Sequence, residues 1–340
     1  MLKIGLIQAY TTSSEKFNFS PIGLCLRAIG RELRTVIFRF SGHELDQAYD
    51  QASKYFPDLF HHEFIHLSLN QQEKKHQARN LENKLFELRK AVTQGAYDLA
   101  VLLDIDIASK QGFITEEYLA EICAEKAPHT ELVISGKDLP PSVVSAADLV
   151  TNMAIEKIPV PANNTPYGAA EVEVITGNGK GKTTYALGKA FLASCTGLPC
   201  LMVQFIKSPM RYGEIIASDR LPNFFVKTMG KGFIFGKGSD EEKKHRKAAK
   251  LAWEQFAREL ASGRYRYIIL DEINIATYYD LLQGSDVART IRQLPPNVKL
   301  ILTGRNAHPD VVKAATTVIE MQEIKHPFQK GIKARKGIEF

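Results

Sequence analysis

Nine residues, Thr176 to Thr184 (TGNGKGKTT), constrain the fold of this chain more than any other stretch. They follow the apolar, β-branched run Val172-Glu173-Val174-Ile175 and precede Tyr185-Ala186-Leu187-Gly188-Lys189-Ala190-Phe191-Leu192, which reads as a helix. Strand, glycine-rich turn and helix is the setting in which a phosphate-binding loop works. Gly177, Gly179 and Gly181 let backbone N–H groups turn inward around anionic oxygens, and the helix N-terminus adds a partial positive charge. In such a loop Lys182 reaches the phosphates and the Thr183 hydroxyl ligates a divalent cation. Asn178, Lys180 and Thr184 complete the candidate binding set, and Thr176 stands where the usual pattern begins with glycine. The competing reading is a tight strand–helix turn with incidental lysines; Gly-Lys-Thr at the required place argues against it.

The chain has 340 residues, which at about 150 residues per domain predicts two domains. A hydrophobic content of 44% with 24% charged residues describes an ordinary soluble globular protein. No apolar run approaches the roughly 18 residues of a membrane span, so no membrane partner is expected. Residues 1–7 read as a strand that starts at once, without the charged segment and cleavage site of a signal peptide. Cys25, Cys123, Cys195 and Cys200 form no C-x-x-C pair and read as reduced, mostly buried thiols of a cytoplasmic protein. The net charge of +6 suits a small polyanion as well as it suits nucleic acid and decides little.

The chain repeats itself. Residues 100–108 (AVLLDIDIA) lie on 268–276 (IILDEINIA) at a shift of 168, and residues 132–137 (LVISGK) lie on 300–305 (LILTGR) at the same shift. Pro141, Ala147 and Met153 fall on Pro309, Ala315 and Met321. Residues 22–40 match 187–205 at a shift of 165, and Glu73-Lys-Lys-His76 matches Glu242-Lys-Lys-His245 at 169. Slowly drifting shifts in constant order mean duplication with small loop insertions. Each copy alternates apolar strand-like runs with helical patterns, which predicts α/β architecture: a mostly parallel sheet with helices on both faces. In the second copy strands are expected near 172–175, 200–205, 266–271, 299–303 and 317–321. A long helix is expected near 240–262, opened by a Ser239/Glu242 capping box and closed by Gly263. Residues 158–168 (IPVPANNTPYG), with three prolines, read as a linker between a first domain, 1–157, and a second, 169–340.

The copies differ in chemistry. Where the second has its loop, the first has Gln8-Ala-Tyr-Thr-Thr-Ser-Ser-Glu-Lys-Phe17, without glycine, and Asp271-Glu272 is replaced by Leu103-Asp104. Bulky side chains there keep a triphosphate off the backbone, so one nucleotide site per chain is expected; a Ser/Thr-rich turn that holds some other anion is the alternative. Residues 268–272 (IILDE) are an apolar strand ending in two carboxylates, and parallel sheets place ligands at strand carboxyl ends. Asp271 and Glu272 are therefore candidates to hold Mg²⁺ directly or through water. Arg305 ends a later strand, placed to clamp phosphate oxygens or to sit in a surface salt bridge. Residues 227–238 carry glycines at 230, 232, 236 and 238 around Phe233 and Phe235, a platform for a flat apolar ligand or simply a hairpin filling core. The basic, aromatic tail, residues 324–340, reads either as a nucleic-acid tail or as a segment folded over an anionic site.

Together these residues resemble the ATP:corrinoid adenosyltransferases of the P-loop type. The resemblance covers the second copy: TGNGKGKTT at 176–184, VQFIK at 203–207, GFIF at 232–235, LDE at 270–272, TGR at 303–305, and KHPF, GIKA and GIEF in the tail. It implies two tandem P-loop NTPase-like (RecA-like) domains, the first degenerate and the second active, joined as an intramolecular pseudo-dimer with any further oligomerisation left open. It also implies transfer of the 5′-deoxyadenosyl group of ATP to Co(I) of a corrinoid, with release of triphosphate and no nucleic-acid partner. Lys182, Arg305 and Glu272 would be the catalytic set, residues 176–184 the ATP loop, and Thr183, Asp271 and Glu272 the ligands of Mg²⁺ or Mn²⁺. Phe233 and Phe235 would cover the lower corrin face, Phe235 standing where the family often has Trp. An electron donor would reduce Co(II) to Co(I). Two other classes fit the same loop: a P-loop ATPase acting on nucleic acid, and a nucleotide- or corrinoid-binding module without turnover.

Overall fold

The computed structural model describes residues 2–42, 45–67, 74–157, 169–208, 210–232 and 240–339. The first copy runs β1 (Ile7–Thr12), α1 (Ser20–Ile29), β2 (Thr35–Arg39), α2 (Ala48–Tyr55), β3 (Phe60–Phe64), α3 (Lys74–Thr93), β4 (Leu99–Leu103), α4 (Ile105–Lys110), α5 (Glu116–Glu125), β5 (Glu131–Lys137), α6 (Pro141–Ala146) and β6 (Leu149–Lys157). The second repeats the order: β7 (Glu171–Thr176), α7 (Lys182–Cys195), β8 (Cys200–Gln204), α8 (Gly213–Ser218), β9 (Phe224–Thr228), α9 (Asp240–Ala261), β10 (Tyr267–Asp271), α10 (Ile273–Tyr278), α11 (Gly284–Arg292), β11 (Lys299–Thr303), α12 (Pro309–Ala314) and β12 (Thr317–Lys325).

All these strands join one sheet, in the order β3-β2-β4-β5-β1-β6-β12-β7-β11-β10-β8-β9. Within each copy every pairing is parallel; β6 and β12 meet antiparallel, with Met153 opposite Met321. Those two methionines are duplicates of each other. A residue can face its own duplicate across a ladder only on a two-fold axis, so the copies are related by a pseudo-dyad through this point. Residues 317–320 pair with β7, and pairing with β6 carries β12 on to Lys325. The register also settles the equivalences at the strand ends: Tyr10 pairs with Ser135 as Ile175 pairs with Thr303, which keeps the 165-residue shift through β1 and β7.

Helices α1 and α7 cross on one face of the sheet, and the core beneath them is shared. Phe56 and Phe60 of the first copy pack edge-on against Phe191 of the second, and Phe19 packs against Tyr185. On the other face each copy keeps its own core. The crossing turns on a duplicated glycine. A Cβ on Gly23 would sit 1.8 Å from the Thr184 carbonyl oxygen, and one on Gly188 would sit 2.2 Å from the Phe19 carbonyl oxygen. Both contacts are to backbone, which cannot swing aside as a side chain tip can.

One expectation needs correction and two fall outside the described residues. The first strand is not residues 1–7: β1 starts at Ile7 and runs to Thr12, while Ile4 is exposed. The alternation of apolar residues at the N-terminus imitates a strand, but pairing with β5 begins only at Ile7. The linker 158–168 and the helix-capping Ser239 lie outside the described residues. The other expected strands and the long helix, at Asp240–Ala261, are present. The four cysteines are buried free thiols.

Gly188→Val is expected to destabilise the protein by about 3 kcal/mol or more, because overpacking here must separate two backbones. Urea unfolding of the full chain measures it; a loss under about 1 kcal/mol would show that the crossing yields.

Candidate active site

The loop between β7 and α7 turns through left-handed backbone at Gly177 (φ 90°) and Gly181 (φ 116°). At Gly177 a Cβ would also lie 2.5 Å from the Met321 carbonyl oxygen, so β12 presses the loop from behind. Gly179 N–H donates to that same carbonyl at 2.6 Å. Thr176, which replaces the usual first glycine, uses its hydroxyl: Oγ1 accepts from Ala307 N–H at 3.3 Å. Lys182 Nζ donates to the Gly179 carbonyl at 2.7 Å, curled over its own loop. Burial, and then the neighbouring Arg305, push its pKa down to about 8.

Asp271, fully buried at the end of β10, is the hub. Its Oδ1 accepts from Thr183 Oγ1 and Thr303 Oγ1, both at 2.8 Å. Its Oδ2 lies 3.2 Å from Lys207 Nζ and accepts weakly from Gln204 Nε2 at 3.4 Å. Lys207 also bonds Glu214 Oε1 at 2.9 Å, and Arg27 Nε donates to Glu214 Oε2 at 3.0 Å. Burial alone would raise the Glu214 carboxyl, but Arg27 and Lys207 hold it well below the usual carboxylate range. Glu272 follows in left-handed backbone (φ 63°), a conformation costly for a side chain with a Cβ. Burial, then Asp271, push its carboxyl up to about 7.

The structure thus brings Lys182, Thr183, Asp271 and Glu272 together. Arg305 sits exposed at the rim, its Nη2 3.4 Å from the Asn178 carbonyl. Phe233 and Phe235 lie outside the described residues. The tail folds against the loop: Glu339 bonds Lys180 at 2.9 Å and Arg335 at 3.1 Å, and Arg335 grips Glu131 of the first copy through both Nη atoms at 2.6 and 2.8 Å. Between the copies a cavity of about 280 Å³ opens onto the loop, walled by Gln8, Tyr10, Leu24 and Arg27 on one side and by Lys180–Thr184, Lys207, Glu272 and Glu339 on the other.

Sequence reasoning assigned no role to Gln204, Lys207, Glu214, Thr303 or Arg27. Three of these stand inside motifs already quoted; Arg27 carried only the signal of a cation within an otherwise mostly apolar helix.

The corresponding region of the first copy holds a cavity of about 330 Å³ lined by Thr12, Ser14, Ser41 and Asp104, among others. Its three lysines are each matched to a carboxylate: Lys137 to Glu15, Lys110 to Asp106 and Lys16 to Glu173. Asp104 keeps the left-handed backbone of its duplicate Glu272 (φ 56°), and burial pushes its carboxyl up to about 6. Glu173 also bonds Lys189 at 2.9 Å. At the duplicate positions on the open side stand the neutral Gln8 and Leu24.

The sheet, the loop and the carboxylate-ended strand define a P-loop nucleotide-binding α/β protein. The profile of the family described as ATP:corrinoid adenosyltransferase BtuR/CobO/CobP matches the chain twice, over residues 3–166 and 169–340. The chain belongs to that family, as a tandem pair. It is 38% identical over 172 residues to a corrinoid adenosyltransferase of Sinorhizobium sp., covering 49% of this chain and 78% of that one. A corrinoid adenosyltransferase of Pseudomonas aeruginosa is 38% identical over 168 residues, covering 49% and 82%. An uncharacterized protein of Nostoc sp. matches across both copies, at 27% identity over 262 residues, 74% of this chain and 68% of that one.

Glu173 offers a pH test of the ion pairs on this side. Burial alone would raise its pKa, but Lys189 and Lys16 outweigh burial and lower it from 4.5 to about 2. Its contribution is therefore present above pH 4.5 and is lost as pH falls toward 2. Glu173→Gln should cost about 3 kcal/mol at pH 7, since it strands two lysines. The gap to wild type in unfolding free energy should narrow as pH falls below 4.5; a gap that does not change with pH would contradict this assignment.

Proposed function

We propose that the second copy, residues 169–340, transfers the 5′-deoxyadenosyl group of ATP to the cobalt of a reduced corrinoid. The first copy, residues 1–157, serves as its catalytically silent partner across the linker 158–168. The supporting observation is the loop of Lys182 and Thr183 locked to Asp271 and opening on a cavity between the copies. In this reading the triphosphate lies on residues 176–184 and displaces Lys182 from the Gly179 carbonyl.

Co(I) of the corrinoid is the nucleophile. Its electron pair forms the Co–C5′ bond, the C5′–O5′ bond breaks, and triphosphate leaves with that bonding pair, cobalt ending as Co(III). So strong a nucleophile needs no side-chain base. The work of the chain is to hold the reactants in line and to meet charge growing on the leaving group. Lys182 and Arg305 supply positive charge there. The donor set fits a hard divalent cation, Mg²⁺ or Mn²⁺. Thr183 gives its hydroxyl hydrogen to Asp271, which leaves the oxygen lone pairs for a metal, and Glu272 is a desolvated carboxylate that a cation would stabilise as the anion. Thr183 and Glu272 would bind the cation, with Asp271 acting through Thr183 or water; the ion would neutralise triphosphate charge. Phe233 and Phe235 cover the lower corrin face, where losing an axial ligand eases reduction. Gly232, which precedes them in the sequence, donates its N–H to the Ile206 carbonyl at 2.8 Å. An electron donor delivers Co(I). No helix among the described residues is long and apolar enough to cross a membrane, and a cytoplasmic setting, where ATP and reductants are found, suits this chemistry.

Mixing the protein with ATP, Mg²⁺ and a reduced corrinoid should give a light-sensitive alkyl-cobalt absorbance and free triphosphate; ADP and phosphate instead would overturn the reading. Lys182→Ala should lower that turnover on the order of 10²-fold or more while leaving the melting temperature near that of wild type. Calorimetric titration with Mg·ATP should give one nucleotide per chain, because the first copy has no glycine loop at residues 8–17 and the lysines lining its cavity are already paired with carboxylates; a stoichiometry of two would show that the first copy binds as well.

A further inference from the structure

The duplication allows each residue near the loop to be compared with its own copy on the other side of the pseudo-dyad. Four charged residues form one continuous chain, buried except for the half-buried Lys207: Arg27, Glu214, Lys207 and Asp271. Their duplicates, by the 165- and 168-residue shifts, are Leu192, Tyr49, Gly42 and Leu103. All four charges are absent together on the side without a loop. Three of the four charged members belong to the second copy, but Arg27 comes from α1 of the first. The copy without a phosphate loop has an arginine that reaches Glu214 of the other copy, whereas the loop-bearing copy has leucine at the matching place.

The contacts say what Arg27 does. It is 6% exposed, and its hydrogen bonds among the described residues go to Glu214 and to the tail, not to residues 176–184. Its Nε holds Glu214, and its Nη1 donates to the carbonyls of Ile338 and Glu339 at 3.2 and 3.0 Å. Glu214 holds Lys207, Lys207 holds Asp271, and Asp271 orients Thr183. Two positive and two negative charges close the chain at zero net charge, the condition under which buried ions are tolerated. A neighbouring contact is separate: Ser20 Oγ of α1 donates to the Gly181 carbonyl at 3.2 Å.

We propose that Arg27 is a positioning residue for the nucleotide site in the other copy: by balancing Glu214 it keeps Lys207 on Asp271 and so keeps Thr183 set for the nucleotide and its cation. This inference rests on the reading of residues 176–184 as that site. Without Arg27, Glu214 keeps its charge and draws Lys207 to itself, and Asp271 loses its cation. The first copy is then more than a scaffold that fills an interface; it completes the site.

The test is calorimetric titration of the full chain with Mg·ATP, without corrinoid, well below the melting temperature. Stoichiometry reports the competent fraction and Kd reports the site, so a merely structural role would lower the former and leave the latter unchanged. Arg27→Met should bind one nucleotide with Kd raised about tenfold. Glu214→Gln alone should also weaken binding, through excess positive charge. Combining the two restores neutrality and should bring Kd back to within about threefold of wild type, a coupling that independent sites do not show. The charge-balanced double variant also covers the case in which Arg27→Met does not fold. Leu192→Met, at the duplicate position, should change nothing. Wild-type Kd in Arg27→Met, or a double variant as weak as both single effects combined, would overturn the proposal. Absence of Mg·ATP binding by the wild type would instead refute the nucleotide site itself.

Discussion

Strands β6 and β12 meet antiparallel with Met153 facing its own duplicate Met321, both without solvent exposure. Each strand has a parallel partner on its inner side, β1 or β7, so the antiparallel pairing is what makes two sheets into one. Unpaired, either strand would present a row of open N–H and C=O groups, a template for aggregation. The helix layer obeys the same axis. Gly23 and Gly188 let α1 and α7 approach at backbone distance, and the aromatic rings of Phe56, Phe60 and Phe191 then fill one core drawn from both copies. Because β12 also presses Gly177 and Gly179 from behind, the shape of the phosphate loop depends on the strand that joins the copies.

A symmetric backbone here carries asymmetric charge. On the open side the loop faces Gln8, Leu24 and Arg27, and a cavity remains between the copies. On the other side Glu173 and Lys189 occupy the positions of Gln8 and Leu24 and pair with each other, and Glu173 also takes Lys16. Buried ions are costly alone and tolerable when paired: Arg27, Glu214, Lys207 and Asp271 balance on the open side, and Glu173 is shared by Lys16 and Lys189 on the other. Repeated backbone conformation survives the change of chemistry: Glu272 and Asp104 both sit in left-handed backbone after their strands, one beside the loop and the other beside Ser41.

Local chemistry in the sequence was enough for the loop, the carboxylates Asp271 and Glu272, the duplication and the alternation of strands and helices. Each of these is written in contiguous residues: glycine spacing, β-branched runs, a lysine and threonine at a helix start. The apolar start of the chain misled for the same reason, since Leu2 to Ile7 has strand composition but lacks a neighbouring strand until Ile7.

What the tertiary structure alone decided is everything made by residues far apart in the chain. Composition could not tell two separate sheets from one, because the join depends on which edges meet, and β12 owes its last residues to pairing with β6. It could not show that Asp271 binds Thr183 and Thr303 at once, or that the tail returns through Arg335 to Glu131. Nor could it give Arg27 a partner 187 residues away. Sequence determines which groups are present and what each does to its own backbone; hydrogen bonds and ion pairs form only within about 4 Å, and only the fold sets those distances.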